Sequence, residues 1–293
     1  MTLTKKNEKK ISRLKNEFEL LSKGKDSLLD IIFEAELPES VYNSNAIENS
    51  TLTIDETERI LMELEISRNI SLREVFEAKN LARIYGYIKK VNQSKPLDKE
   101  LILFLHNMLI ANIDDDIAGR FREENEYVRV GTYIAPAPDK VESLIDELLQ
   151  DYKSDTETYF LEKIINFHLE FETIHPFCDG NGRIGRILIN YHLMELGFPP
   201  VIIRNKIRSD YHSSFSEYQK NKRNGLLSNI IYLSLTESLY KRITYLQEKK
   251  IISLKEHSKL SKRSFNSLLN SARRQTIPVF REKGLWKIGI TMG

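Results

Sequence analysis

The chain has 293 residues, with 44 Lys+Arg against 42 Asp+Glu, 41 % hydrophobic and 29 % charged residues, which excludes collagen-like, disordered and mucin-like chains and predicts a globular protein with a sizeable core. A single cysteine, Cys178, allows neither an intrachain disulfide nor a multi-thiolate zinc site, and no apolar run approaches the ~20 residues of a membrane span. The opening residues lack an apolar signal core, so the expectation is a cytoplasmic protein without a membrane partner. Charge is unevenly spread: residues 241–293 carry 13 Lys+Arg and 3 Asp+Glu, a net +10, which leaves −8 for residues 1–240. That contrast predicts a separate C-terminal module whose cations are either a solvated face or a site for an anionic partner such as nucleic acid.

Ile11, Leu14, Phe18 and Leu21 recur at spacings of three and four, one face of a helix that Gly24 stops. Two later helix starts carry the capping-box pattern, Thr53-Ile-Asp-Glu56 and Ser71-Leu-Arg-Glu74. After the second, Leu72, Val75, Phe76, Leu81, Ile84, Ile88 and Val91 predict one apolar side as far as Ser94-Lys95-Pro96. Residues 98–112, 140–152, 156–173, 183–196 and 226–247 also read as helices. Only Tyr127-Val-Arg-Val-Gly-Thr-Tyr-Ile-Ala135 reads otherwise: β-branched and aromatic residues flank Gly131 and end at Pro136 and Pro138, the pattern of a short hairpin. There is no internal repeat.

The most informative stretch is His175-Pro-Phe-Cys-Asp-Gly-Asn-Gly-Arg-Ile-Gly-Arg186, between two predicted helices. Gly180 and Gly182 permit close approach of a ligand, and the following helix directs its free N–H groups and positive dipole end at the loop, an anion cradle. Arg183 and Arg186, three apart on the first turn, can grip the same phosphates in a forked geometry. Asp179 adds a carboxylate suited to a magnesium ion bridging phosphate oxygens, which points to a nucleoside triphosphate. His175 alone in the loop titrates near neutrality and can take a proton from an attacking hydroxyl. Taken singly, these residues also describe a plain helix–helix connection with a capping Asp, two solvated Arg and a core His; their concurrence argues for chemistry.

These residues resemble the signature of the Fic family, His-Pro-Phe-x-Asp/Glu-Gly-Asn-Gly-Arg-x-x-Arg, at every fixed position. His168-x-x-Phe171-x-x-Ile174-His175, Gly119-Arg-Phe-Arg122 and Ala135-Pro-Ala-Pro138 are similar to further family features, with Ala137 in place of one usual proline. The resemblance covers roughly residues 40 to 240. It implies an all-α Fic-type helical core and transfer of AMP from ATP to a Tyr, Thr or Ser hydroxyl of a target protein, or of the chain itself, with release of pyrophosphate. His175 would be the base, Asp179 would hold Mg2+, and the backbone of Gly180, Asn181 and Gly182 with the Asn181 side chain would stabilise phosphate charge. Arg183 would neutralise the inner phosphates and Arg186 the γ-phosphate. Glycine at 182, where the phosphorylating branch carries Lys, implies the AMP-transferring kind. Tyr211 and Tyr218 are candidates either for the adenine pocket or for the core. The hairpin would be a flap placing Val130, Gly131 and Tyr133 beside an extended target segment.

Ser44-Asn-Ala-Ile-Glu48-Asn49 places a hydroxyl and a carboxylate on one helical face, and resembles the family's inhibitory motif, continued by Ser50-Thr-Leu-Thr53. By that resemblance Glu48 would pair with Arg186 and withhold it from the γ-phosphate, or position a water that removes AMP, or both. The expected fold is thus all-α with a β-hairpin flap: an N-terminal helical region over 1–97 with the inhibitory helix, a Fic core over 98–240 and a basic module over 241–293. An alternative function is a nucleotide-sensing regulator whose C-terminal module binds DNA or protein. In that module Phe265, Leu268 and Leu269 form a stripe beside Arg273 and Arg274, and Gly284-Leu-Trp-Lys-Ile-Gly289 suggests a wing, but no helix-turn-helix turn is readable. The sequence also admits a homo-oligomer.

Overall fold

The computed structural model describes residues 3–91, 94–131 and 133–291, so Thr132 of the hairpin lies outside the described residues. Among the described residues ten α-helices form the body: α1 (Lys5–Ser22), α2 (Asp26–Ile47), α3 (Ile54–Leu61), α4 (Leu72–Val91), α5 (Lys99–Ile110), α6 (Val141–Ser154), α7 (Phe160–Ile174), α8 (Asn181–Glu195), α9 (Arg208–Asn221) and α10 (Gly225–Leu246). The first capping box closes as expected, Thr53 and Glu56 each satisfying the other's backbone N–H. Among the described residues no helix is long and apolar enough to cross a membrane.

α8 is the axis of the body. Every residue from Arg183 to Met194 is buried, as a helix surrounded by other helices requires. One apolar cluster, with Leu81, Leu101, Leu105, Phe171, Phe177 and Tyr191, lies on the side of α4 and α5. A second, with Ile11, Leu14, Phe18, Ile189, Leu235 and Leu239, lies on the side of α1 and α10. Close approach of α7 to α8 depends on Gly185, where a Cβ would stand 2.7 Å from Glu172 Oε1. The stripe on α4 begins later than its sequence suggests: Leu72 is 74 % exposed, because the first turn of α4 is given over to polar contacts with the loops described below.

The hairpin pairs β1 (Arg129–Val130) with β2 (Tyr133–Ile134), and the Ala135 N–H extends the ladder to the Val128 carbonyl. The C-terminal module contains β3 (Lys250–Ser253), α11 (Leu254–Ser261), α12 (Phe265–Arg273), β4 (Val279–Glu282) and β5 (Leu285–Ile290), with an antiparallel sheet of order β3-β5-β4. α11 and α12 make a helix-turn-helix, and β4 and β5 a wing. The turn escapes sequence reading because Lys262, not glycine, takes its left-handed position at φ 55°.

α10 runs unbroken through 240/241, so the module shares that helix with the body. Lys241 and Arg242, which contribute to its net charge, are buried and paired with Glu36 of α2. Glu39 of α2 pairs with Arg204, which reaches Glu237 of α10 at 2.9 Å, and Glu237 pairs with Arg281 of β4 at 2.6 Å. Glu39 also accepts from the Lys283 and Gly284 N–H groups, each at 3.1 Å. The wing is thereby tied to the helix that carries Ser44.

Candidate active site

The loop from His175 to Gly180 is set by its backbone. His175 ends α7 in the left-handed region, φ 50°, a conformation costly for a residue with a Cβ and held only by its surroundings. Arg122 supplies the hold: its Nε donates to the His175 carbonyl at 2.9 Å, Nη2 to Pro136 at 2.9 Å and Nη1 to Glu126 at 3.0 Å, while its N–H donates to Pro176. One buried guanidinium thus fastens the loop to the base of the hairpin. Phe177 is fully buried and stacked on His106 with ring centroids 3.7 Å apart. His106 accepts from the Gly119 N–H at Nδ1 and donates from Nε2 to the Asp179 carbonyl at 3.1 Å. Gly180, at φ 82°, starts α8 where a Cβ would meet Leu109 at 2.9 Å.

Four charges close a ring over this loop. Asp179 accepts from Arg183 at 2.9 Å and pairs with Arg73; Arg183 reaches Glu77 at 2.8 Å, and Glu77 pairs with Arg73 at 3.1 Å. Burial would raise the Asp179 carboxyl, but Arg183 and Arg73 outweigh it and hold the group below its usual range.

Arg186, whose side chain is 4 % exposed, donates from Nε to Ser44 Oγ at 3.0 Å and from Nη2 to the Ser44 carbonyl at 2.8 Å, and pairs with Glu48 at 2.9 Å. The Glu48 carboxylate lies directly against Gly182, where a Cβ would stand 2.3 Å from Oε1. Burial acts to raise the Glu48 carboxyl, and Arg186 with Arg183 behind it lowers the group by more. Burial pulls the His175 imidazole down to about 4, so it is neutral at pH 7. Its Nδ1 stands 3.7 Å from Glu172. Burial, with the nearby Glu48 charge, pushes the Glu172 carboxyl up to about 8, so this neighbour is mostly protonated.

A neutral imidazole, a carboxylate and two buried arginines therefore converge at the start of one helix. A model of the Fic/DOC family matches residues 96–193, which contain that constellation. The chain belongs to the Fic/DOC family. It is 32 % identical over 180 residues to a protein adenylyltransferase, fic-1, of Caenorhabditis elegans, covering 59 % of this chain and 35 % of that protein. Against the protein adenylyltransferase Fic of Culex quinquefasciatus it is 30 % identical over 210 residues, 67 % of this chain and 41 % of the relative. The chain thus spans well under half the length of these curated relatives. A crystal structure of a Fic-domain signalling protein from Bacteroides thetaiotaomicron superposes with a TM-score of 0.74 at 25 % identity, covering 82 % of this chain and 98 % of that one.

Within this Fic core the sequence-predicted residues fall into two groups. His175, Asp179, Gly180, Gly182, Arg183 and Arg186 share the loop and the first turns of α8, and Ser44 and Glu48 reach them from α2. Asn49 lies beside them as the left-handed residue, φ 71°, that ends the α2 turn. Three expectations change. The Asn181 side chain is a clasp, accepting from the Phe177 N–H at 2.9 Å and donating to the Phe177 carbonyl at 2.8 Å, so the cradle is left to backbone. Tyr211 is a buried pillar, its hydroxyl 2.8 Å from His168 Nε2 and its ring beneath Arg186. Tyr218 bonds Glu170 at 2.5 Å in the same core. Tyr211 and Tyr218 therefore take the core alternative. Val130 and Tyr133 pair across the flap, with Gly131 exposed at its turn.

Sequence reasoning missed Arg73, Glu77 and His106. Arg73 lies inside the second capping box but carries no signal of this role there, Glu77 and His106 lie in no local motif, and each acts on the loop from another helix. Glu74 is a further case: besides bonding Ser71, its carboxylate accepts from Thr51 and Ser50 and fixes the segment after Glu48.

Proposed function

We propose that the protein is a protein adenylyltransferase, moving AMP from ATP to a hydroxyl of a target protein, and that Glu48 restrains it. The observation that carries this reading is the neutral, part-buried His175 beside two buried arginines at the start of α8. The imidazole accepts the proton of a Tyr, Thr or Ser hydroxyl as its oxygen attacks the α-phosphorus. The new bond is oxygen to α-phosphorus, the bond broken joins α- and β-phosphates, and pyrophosphate leaves. Arg183 and the first N–H groups of α8 balance the phosphate charge, and Arg186 holds the γ-phosphate in line. The flap presents an edge for an extended segment of the target or of a second copy of the chain.

Asp179 fits a magnesium ion: it is one accessible carboxylate, and Mg2+ takes one or two of these with phosphate oxygens and water. Held there, the ion would neutralise phosphate charge, and Asp179, which pairs with Arg73, is the residue that would hold it.

Restraint follows from competition for one cation. With Glu48 on Gly182 and Arg186 engaged by Ser44 and Glu48, the space and charge meant for the γ-phosphate are taken. Glu48→Gly should raise the initial rate of labelled AMP transfer from Mg-ATP, and Glu48→Gly with Arg186→Ala should not. A Glu48→Gly chain that binds ATP yet labels neither itself nor any protein of a cell extract overturns the activity. Equal initial rates for Glu48→Gly and the unaltered chain overturn the restraint. Hydrolytic removal of AMP with Glu48 orienting the water is read separately, from end-point yields on a pre-modified target.

A further inference from the structure

Away from the Fic loop, a cleft of about 820 Å³ opens between α1, α10 and the end of α12. Six cations line it: Lys6, Lys9, Lys10 and Arg13 from α1, and Arg273 and Arg274 from the end of α12. No Asp or Glu among the described residues joins them. The α1 quartet falls at i, i+3, i+4 and i+7, one helical face, which flanks the face that buries Ile11, Leu14 and Phe18. Like charges at those spacings repel, so the arrangement works against the stability of α1 unless an anion is present. Burial and the charges of Arg13 and Lys6 pull the Lys10 ammonium down to about 8. Its Nζ sits 5.2 Å from the Tyr240 ring centre and donates to the Gln275 carbonyl.

The positive surface continues beyond the cleft. Residues 257–281 contain no Asp or Glu, and Lys262 and Arg263, before the start of α12, are exposed. Those cations lie a whole helix away from Arg273, about 13 Å for nine residues, a span too long for one triphosphate. Between them α12 exposes Asn266, Ser267 and Asn270, short polar groups able to meet base edges. The wing is not free to flank such a ligand, because its turn is bound to Glu39.

We propose that this face binds duplex nucleic acid, with the second helix of the helix-turn-helix in a groove and the cleft between α1 and α12 gripping the phosphodiester backbone of the flank. The site is composite: residues 241–293 alone would lack four of the six cations. It does not depend on the AMP-transfer reading.

The test uses the full chain and a fluorescently labelled 20-base-pair DNA duplex, with affinity measured by anisotropy across a salt series. Six phosphate contacts predict roughly a 10³-fold loss of affinity between 50 and 200 mM salt, and removing three of them roughly a 40-fold loss over the same interval. Lys6→Ala/Lys9→Ala/Arg13→Ala should show the shallower slope, and Arg273→Ala/Arg274→Ala a slope lower by about two contacts. Both sets are exposed side chains, and thermal unfolding checks that the variants fold. No binding at 50 mM salt overturns the proposal. Binding unchanged by the α1 substitutions overturns the composite cleft. Capture of inorganic tripolyphosphate without capture of DNA overturns it in favour of a small oligophosphate site.

Discussion

At the start of α8 the charges come in pairs: Asp179 and Glu77 face Arg73 and Arg183, and Glu48 faces Arg186. In the cleft between α1 and α12 six cations share a wall that no Asp or Glu among the described residues joins. Both are anion-shaped places on one chain, but they respond to an anion differently. On the proposed reading, binding at the first would be an exchange, in which phosphate displaces a carboxylate already seated, so that occupancy would be governed by whatever holds Glu48. Binding at the second would be an addition that relieves standing repulsion and is eroded by salt. Pairing is what separates a restrained site from an open one.

The largest expected effect removes the group at the first site that carries no charge. His175→Ala should lower AMP transfer by about 10²–10⁴-fold while ATP affinity changes little, because a general base acts on rate and makes no phosphate contact. Transfer retained at the parental rate would show that the proton leaves by another route.

The next tests what pairing is worth around a buried carboxylate. Glu237 stands between Arg204 and Arg281, and Glu237→Ala would leave Arg281 without its carboxylate and Arg204 with Glu39 alone. Breaking such a network typically costs about 3–5 kcal/mol. Urea unfolding measures it, and a loss under 1 kcal/mol would mean the arginines find water or other partners.

How legible these regions were in the sequence follows from where their partners lie. The signature loop compresses base, carboxylate, glycines and arginines into twelve residues, so its chemistry was readable before any fold. The Ser44 and Glu48 motif was readable only beside it. The Arg73–Glu77 part of the charge ring and the His106 stack were not, because each reaches the loop from more than 65 residues away. Asn181 misled for the opposite reason: its amide is a phosphate donor by type, and only the fold shows both ends spent on Phe177. The composite cleft was half visible, as an excess of positive charge near the C-terminus, but nothing in the pattern of α1 tells that its basic face lies against Arg273.

Titration separates the loop from the cleft again. His106, His168 and His175 are drawn down to about 4, 3 and 4 by burial. Each binds fewer protons folded than unfolded below its ordinary value of 6.5, so stability should fall as pH drops from about 6.5 toward 4. Glu172 has the opposite sign: raised from 4.5 to about 8, it is protonated in the fold where the unfolded chain is ionised, and it withdraws stability as pH rises between those values. His192 and His212 are lowered by burial as well, and five histidines against one glutamate predict a net rise in melting temperature from pH 4 to 6.5, then a shallow decline to pH 8. Glu172→Gln should abolish the decline and leave the rise. A decline that survives the substitution would place its origin elsewhere.

The smallest effect concerns a single cation of the cleft. Lys9 is exposed on α1, beside Lys6 and Arg13 at helical spacings of three and four. Removing it relieves repulsion and breaks no ion pair among the described residues, so Lys9→Ala should stabilise the free protein by about 0.2–0.5 kcal/mol at low salt. Alanine's helix propensity adds a further small gain. The electrostatic part should vanish by about 1 M salt, where the Debye length is ~3 Å, which leaves only the propensity term. With duplex DNA present the sign should reverse, since the variant forfeits a phosphate contact that stabilises the complex. Paired melting curves, with and without DNA at low and high salt, read all of these terms at once. A Lys9→Ala chain destabilised at low salt without DNA would mean that the lysine has a partner and that the cleft is as settled as the loop.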